Sequence, residues 1–200
     1  MNYPQVYPAM QSSPISLVGK MGQAVQISIH TPSEYIRVNR DRIFPDWQHQ
    51  PQFWVVIVLQ RSRYPLVKIT PEIEQEKELL REKFMRFGCD LAFNLRDRLC
   101  PGEAHRGYLA DLIDPRTGYP LLSRPGEIPH NDTAVVKALL HYPVLKNKCC
   151  ILVHPIWGTA VYPSIFISTA PPIILELAIK SIALMHGWEE IEQEVLVNSQ

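Results

Sequence analysis

The chain has 200 residues and a mass of 23.0 kDa, a length typical of one compact domain. With 46% hydrophobic and 20% charged residues, its composition is that of a globular protein and is too apolar for an intrinsically disordered one. Lys and Arg together number 20 and so do Asp and Glu, and this zero net charge argues against a nucleic-acid binder and against a polybasic membrane anchor.

The chain ends indicate the bounds of the folded domain, and the cysteines indicate the cellular compartment. Residues 1–20 are rich in Pro, Ser, Gln and Tyr, without periodicity, and predict a disordered arm. One domain is expected over 21–188, followed by a mobile tail over 189–200. The N-terminus resembles neither a secretory signal nor a mitochondrial leader, and no apolar run approaches the ~20 residues of a transmembrane helix. Four cysteines form no small-domain disulfide framework, which favours free thiols and a cytoplasmic location.

Two strands and a short helix are predicted before residue 60. Apolar and polar side chains alternate over 24–30, a pattern typical of a half-buried strand. The residues 31–33 (Thr-Pro-Ser) begin a short helix, whose packing residues are expected to be Tyr35, Ile36 and Val38. Residues 53–59 (FWVVIVL) are apolar on both faces and β-branched in the middle, and they predict a central strand.

The longest helix is predicted over 70–98. Thr70 is its expected N-cap and Pro71 its first residue, a combination typical of helix starts. Its apolar side chains follow steps of three, four or seven and form one stripe: Ile73, Leu80, Phe84, Phe87, Leu91 and Leu95. The opposite face, which includes Arg81, is assigned to solvent.

Short strands, turns and two helices are predicted in the second half. A surface loop over 100–105 precedes a strand over 107–113, which ends in a turn over 114–118. A helix capped by Asp132 and Thr133 is predicted as far as residue 142. Strands over 148–154 and 157–169 are expected to form a hairpin, and a last helix runs from Pro171 to Gly187. This mixture predicts an α+β fold with a mixed or antiparallel sheet and helices packed on it.

Cys149 and Cys150 are the most distinctive candidates for chemistry. Adjacent residues of a strand point to opposite faces, so at most one of the two thiols can enter a given pocket. A thiolate is a soft ligand that suits zinc, copper(I) or another polarisable metal centre. The alternative is that both are buried structural cysteines.

Other polar and aromatic residues have a functional and a structural interpretation. Tyr108, Asp111 and Asp114 form an acidic, aromatic strand end that could perform acid–base work, although Asp before Pro usually caps a turn. His130 with Asp132, and His154, could join a metal or substrate site or be structural. The segment 157–159, with Trp157 and Thr159 around a glycine, is typical of a constrained strand start. Motifs of nucleotide hydrolases, zinc proteases and serine hydrolases are missing from the sequence.

Several blocks follow one another in an order that is specific only as a combination. They are 72–74 with the long helix, GYLADLIDPRTG over 107–118, Cys149-Cys150, HPIWGT over 154–159, and 164–166. Together they resemble, over about 70–170, the C-terminal domain of the methylmalonic aciduria and homocystinuria type D protein family.

The resemblance implies a cobalamin-trafficking adaptor rather than an enzyme, on a nitroreductase-like α+β fold without flavin. Cobalamin would be cargo rather than catalytic cofactor, and a cobalamin-processing protein would be a partner. A family cysteine ligates cobalt through sulfur, and it falls on Cys149 or Cys150, with no other metal implied. A pocket or partner surface is expected among the matching residues: Tyr108, Asp111, Asp114, His154, Trp157 and Thr159.

The sequence leaves alternatives open. One is a thiol- or flavin-dependent reductase on the same fold, and another is an assembly module without a ligand. Neither a nucleic acid nor a membrane is expected as a partner, and a homodimer remains open.

Overall fold

The computed structural model describes residues 14–98, 107–146 and 150–191. Within these ranges the strands are β1 (Ile15–Gly19), β2 (Ala24–His30), β3 (Trp54–Arg61), β4 (Ala110–Leu112), β5 (Val144–Lys146), β6 (Cys150–Leu152), β7 (Val161–Ser168) and β8 (Trp188–Glu190). The helices are α1 (Glu34–Ile43), α2 (Pro71–Arg96), α3 (Asp132–Leu140) and α4 (Pro172–Met185).

Six strands form one sheet in the order β4-β7-β3-β2-β1-β8, and every pairing in it is antiparallel. Strand β3 lies between β2 and β7, and its residues 54–60 are buried on both faces. The predicted central strand and the predicted α+β class are therefore confirmed. Strands β5 and β6 form a separate two-stranded ribbon.

Helices cover both faces of the sheet, and alternate residues of β3 divide the core in two. Val56 and Val58 join the core formed with α2 and α4. Val55 and Ile57 join the opposite core, which includes residues of α1 and α3. Because successive side chains of a strand point to opposite faces, a wholly apolar strand must have such a layer on each side.

Helix α2 follows its sequence closely. The Thr70 hydroxyl accepts a hydrogen bond from the Ile73 backbone N–H at 3.4 Å, and Pro71 begins the helix as predicted. All six residues of the predicted stripe are buried. Helix α4 also agrees with the prediction, since it ends just before Gly187, whose φ of 71° ends a helix without strain.

The ends of the sheet differ from the prediction. Strand β1 lies inside the arm predicted over 1–20, and β8 extends into the tail predicted from 189. The two strands pair with each other, and Ile15, Leu17 and Trp188 are buried. Strand β8 has three residues and lies at the sheet edge, so it carries little periodicity of its own, and its partner β1 is far away in the sequence. Residues 1–13 and 192–200 lie outside the described ranges.

The predicted hairpin over 148–169 is wrong. Strand β6 pairs with β5, whereas β7 pairs with β3 and β4. Between them a tight turn is closed by the backbone bonds of His154 with Gly158, at 2.8 and 3.0 Å.

Smaller differences concern helix ends and faces. In α1, Ile36 is buried, but Tyr35 and Val38 are exposed and Ile43 packs instead. Asn131 rather than Asp132 caps α3, since its side chain accepts from the Ala134 N–H at 2.9 Å. The strand predicted over 107–113 is confined to β4. The predicted loop over 100–105 lies outside the described residues.

Candidate functional site

A cleft of about 830 Å³ opens beside the N-terminal half of α2. The turn after β4, the start of α3, strand β6 and the start of β7 form its other walls. Its polar and titratable lining residues include Arg81, Arg116, His130, Asp132, Cys150 and Tyr162. A cleft of this volume is within the range of small-molecule sites.

An ion pair fixes one wall of the cleft. Arg81 donates two hydrogen bonds to the Asp114 carboxylate, at 2.7 and 2.9 Å, and a third to Glu78 at 2.8 Å. The Arg81 guanidinium lowers the pKa of Asp114, against the opposing effect of burial. Asp114 also accepts from the Arg116 N–H at 3.0 Å. It therefore acts as the turn cap that an Asp-Pro sequence favours, and it orients Arg81.

His130 and Asp132 form a buried pair at the start of α3. Their Nδ1 and Oδ1 atoms are 3.0 Å apart, and their side chains are only 1% and 9% exposed. Burial raises the pKa of Asp132, which His130 partly offsets. The chain turns between them because Asn131 caps the helix. Nearby, burial and the charge of Asp132 raise the pKa of the Tyr162 phenol.

Cys150 lies at the first position of β6, is exposed, and lines the cleft. Its cross-strand neighbour is Lys146. Cys149 lies outside the described residues, so the opposite orientation of the two thiols stays a prediction. Cys89 is half-buried in α2, where burial raises the pKa of its thiol.

Asp111 faces inward and is wholly buried. Its carboxylate accepts hydrogen bonds from the backbone N–H groups of Leu112, Leu121 and Leu122, at 2.8 to 3.1 Å, and from the Ser123 hydroxyl. These donors occupy the oxygens that paired acid–base work with Asp114 would need. Tyr108 is half-buried against the α2–α4 core and does not line the cleft.

His154 and Trp157 form a structural unit away from the cleft. Their rings stack with centroids 4.1 Å apart. The His154 Nδ1 accepts from the backbone N–H groups of residues 156 and 157, both at 3.1 Å, and Nε2 donates to Gln26 at 2.9 Å. Burial lowers the pKa of His154 to about 4, so the ring is neutral at pH 7. The Thr159 carbonyl accepts from the Leu66 N–H at 3.0 Å, which again favours the structural interpretation.

The fold therefore separates the residues that the sequence singled out. Cys150, His130 and Asp132 meet at the cleft, while Tyr108, Asp111 and His154 serve the core. Sequence reasoning missed Arg81 and Tyr162. Arg81 lies on a helix face that the pattern assigns to solvent, and only its pairing with Asp114, 33 residues away, gives it a place in the wall.

Two features are absent from the residues that the structure describes. No helix there has both the length and the apolar character needed to cross a membrane. In the same residues, no three or more His, Cys, Asp or Glu side chains are grouped as metal ligands.

The profile of a known family, the methylmalonic aciduria and homocystinuria type D protein, matches residues 9–179. Among similar proteins, the cobalamin trafficking protein CblD of Homo sapiens is 29% identical over 152 residues, which cover 74% of this chain and 47% of that protein. CblD of Rattus norvegicus is 28% identical over 141 residues, covering 68% and 44%. CblD of Gallus gallus is 26% identical over 163 residues, covering 77% and 50%.

The chain spans about half the length of the curated relatives it matches. The family match extends well beyond the segment that carried the resemblance, and it includes every residue that lines the cleft. This chain belongs to the methylmalonic aciduria and homocystinuria type D protein family.

Proposed function

We propose that this chain acts in cobalamin metabolism as a trafficking adaptor, and that the thiolate of Cys149 or Cys150 ligates the cobalt of its cargo. The observation that carries the proposal is an exposed cysteine at the edge of a cleft in a chain of this family. The names of the similar proteins support the cargo. The partner in this role is cobalamin itself or a protein that processes it.

The chemistry is a ligand exchange at cobalt(III). The cysteine thiol gives its proton to the solvent, the thiolate sulfur binds cobalt, and the axial water of aquocobalamin leaves. No electron is transferred, and the corrin is unchanged. A soft sulfur donor suits a polarisable, corrin-bound metal, and an exposed strand end lets a large planar ligand approach.

The fold supports this role by leaving Cys150 accessible. The ribbon formed by β5 and β6 is not hydrogen-bonded to the six-stranded sheet. No strand of that sheet therefore pairs with the start of β6. Cys89, in contrast, is half-buried in α2 and packs against the core. Accessibility distinguishes the two positions, since buried thiols are inert.

The test is a visible-absorbance titration of the reduced protein into aquocobalamin, repeated with Cys149→Ser and Cys150→Ser. We expect a shift of the corrin spectrum with the unaltered chain, lost in one of the two variants. Cys89→Ser is the matched control, and it should leave the shift unchanged because its sulfur is not at the cleft.

Other outcomes would decide against the proposal. A shift that survives both single substitutions and the double substitution Cys149→Ser with Cys150→Ser would show that neither thiolate is the ligand. A spectrum that never changes would contradict ligation by the protein alone. Flavin absorbance in the purified protein would instead favour the reductase alternative.

The nitroreductase-like fold and the cytoplasmic location accompany this proposal. The first is implied by the family resemblance, and the second by cysteines that must remain reduced to bind cobalt.

A further inference from the structure

Two buried atoms beside the cleft have no hydrogen-bond partner among the described residues. They are the Nε2 of His130 and the Oδ2 of Asp132. Of the four such side-chain atoms in the part of the chain that the structure describes, these two alone belong to directly bonded neighbours. Leaving buried polar atoms unpaired is costly, so a polar group bound beside this pair would gain hydrogen bonds that the described residues do not supply.

Two basic side chains of the cleft are already engaged with carboxylates elsewhere in its wall. The Arg81 guanidinium is held by Asp114 and Glu78. Lys77, further along the same wall, pairs with Glu74 at 2.8 Å. The bond between Nδ1 of His130 and Oδ1 of Asp132 uses only one atom of each side chain.

The protonation of the pair limits which ligand can complete it. With the proton on Nδ1 facing the carboxylate, Oδ2 is an acceptor, and Nε2 is an acceptor in the neutral imidazole and a donor in the imidazolium. A primary carboxamide carries an N–H donor for Oδ2, and its N–H and carbonyl groups can also pair with Nε2 in either state, so carboxamides can serve both atoms, one group at each. A carboxylate or phosphate has no donor for Oδ2, and it would place a second negative charge beside Asp132.

We propose that the pair of His130 and Asp132 binds a carboxamide, and that its ligand is one of the carboxamide side chains on the edge of the corrin ring. This inference rests on the proposed function. Cys150 and the pair line the same cleft, so a corrin held through cobalt at the cysteines would present its edge to the pair. The Asn or Gln side chain of a partner protein has the same chemistry, and a test without any partner separates the two sources.

The experiment is equilibrium dialysis of the reduced protein alone, which measures affinity whether or not cobalt is ligated. The probes are aquocobalamin and its derivatives in which one peripheral carboxamide has been hydrolysed to a carboxylate, each isomer tested singly. We expect at least one isomer to bind at least about tenfold more weakly than aquocobalamin, because its carboxylate meets Asp132. Asp132→Asn should remove that difference, since the new side-chain amide donates to a carboxylate.

The matched control is Glu82→Gln, which removes an α2 carboxylate outside the cleft and should preserve the tenfold difference. Equal affinity of the unaltered chain for aquocobalamin and for every isomer overturns the inference. So does a difference that persists in Asp132→Asn. The first comparison needs no variant, so it refutes or supports the inference even if Asp132→Asn folds poorly.

The two proposals fail in different ways. Binding in dialysis without a spectral shift contradicts the cobalt–thiolate bond, while the isomer comparison still decides on the carboxamide site. A spectral shift with equal affinities for all isomers leaves the thiolate proposal intact and overturns the site. The absence of any binding in dialysis overturns both.

Discussion

At Asp111, one carboxylate holds the segment after β4 in place. Three backbone N–H groups and the Ser123 hydroxyl converge on it inside the core. The same segment leads from the cleft wall to His130. A residue that the sequence offers for acid–base chemistry therefore supports the cleft from behind.

Asp111→Ala should lower the free energy of unfolding by about 3 kcal/mol, because the backbone N–H groups of residues 112 and 122 and the Ser123 hydroxyl lose their acceptor. Urea denaturation measures the change. Asp41→Ala, at an exposed carboxylate of α1, is the control and should change stability by less than about 0.5 kcal/mol. A loss at Asp111 no larger than that of the control would show that the N–H groups find other acceptors.

Two buried histidines should make stability fall in mild acid. Burial lowers the pKa of both His30 and His154 to about 4, below the value near 6.5 of the unfolded chain. The unfolded state therefore binds protons first, and stability present above pH 6.5 is lost as the pH falls towards 4. Each histidine contributes a slope of at most about 1.4 kcal/mol per pH unit.

Urea unfolding at pH 7.5, 6 and 5 measures this slope. His154→Gln should reduce the slope by about half, even though it lowers stability at every pH by removing the stacked ring. His49→Gln, at an exposed side chain, is the control and should leave the slope as it is. An unaltered slope in His154→Gln would show that this ring is already protonated in the folded molecule.

At the scale of elements, α2 approaches β4 closely through one glycine. A Cβ added at Gly88 would lie 2.8 Å from Cδ1 and 3.2 Å from Cβ of Leu112, which is wholly buried. Gly88→Ala should therefore destabilise by about 1–3 kcal/mol, although Ala favours a helix by about 1 kcal/mol.

The partner side chain provides the control for this prediction. In the background of Leu112→Ala the obstruction is gone, so adding Gly88→Ala should be neutral or stabilising. Thermal unfolding of the two single variants and the double variant gives the coupling. If the stability changes of the two single variants simply add in the double variant, the Leu112 side chain is not the group that opposes a Cβ at position 88.

Elements were predictable where their cause is local. The cap at Thr70 and the stripe of α2 depend on neighbours within one or two turns, and all are found. The hairpin over 148–169 failed because β6 pairs with β5, just before it, whereas β7 pairs with the distant β3, a choice that alternation does not encode. In α1, the core that includes α1 and α3 receives Ile36 and Ile43, which leaves Tyr35 on the exposed face of the helix. Which face is buried depends on that packing and not on the helix alone.

At the scale of the whole molecule, the candidate site is assembled from distant parts of the chain and not from one sequence motif. Its side chains come from α2, the turn after β4, the start of α3, β6 and β7, between residues 66 and 163. The sequence analysis named His130 with Asp132, and Cys150 apart from them, but nothing in the sequence brought the three together at one cleft or added Arg81. The family resemblance identified the class of protein from the sequence. The arrangement of side chains around the cleft, and the unpaired atoms of His130 and Asp132, could be found only in the structure.

The strand order also has a consequence for synthesis. The most apolar strand, β3, is flanked by β2, made just before it, and by β7, made a hundred residues later. Until residues 161–168 leave the ribosome, one hydrogen-bonding edge of β3 has no native partner, and its apolar side chains lack part of their cover. Nascent chains of intermediate length should be the most prone to aggregate and the most dependent on chaperones.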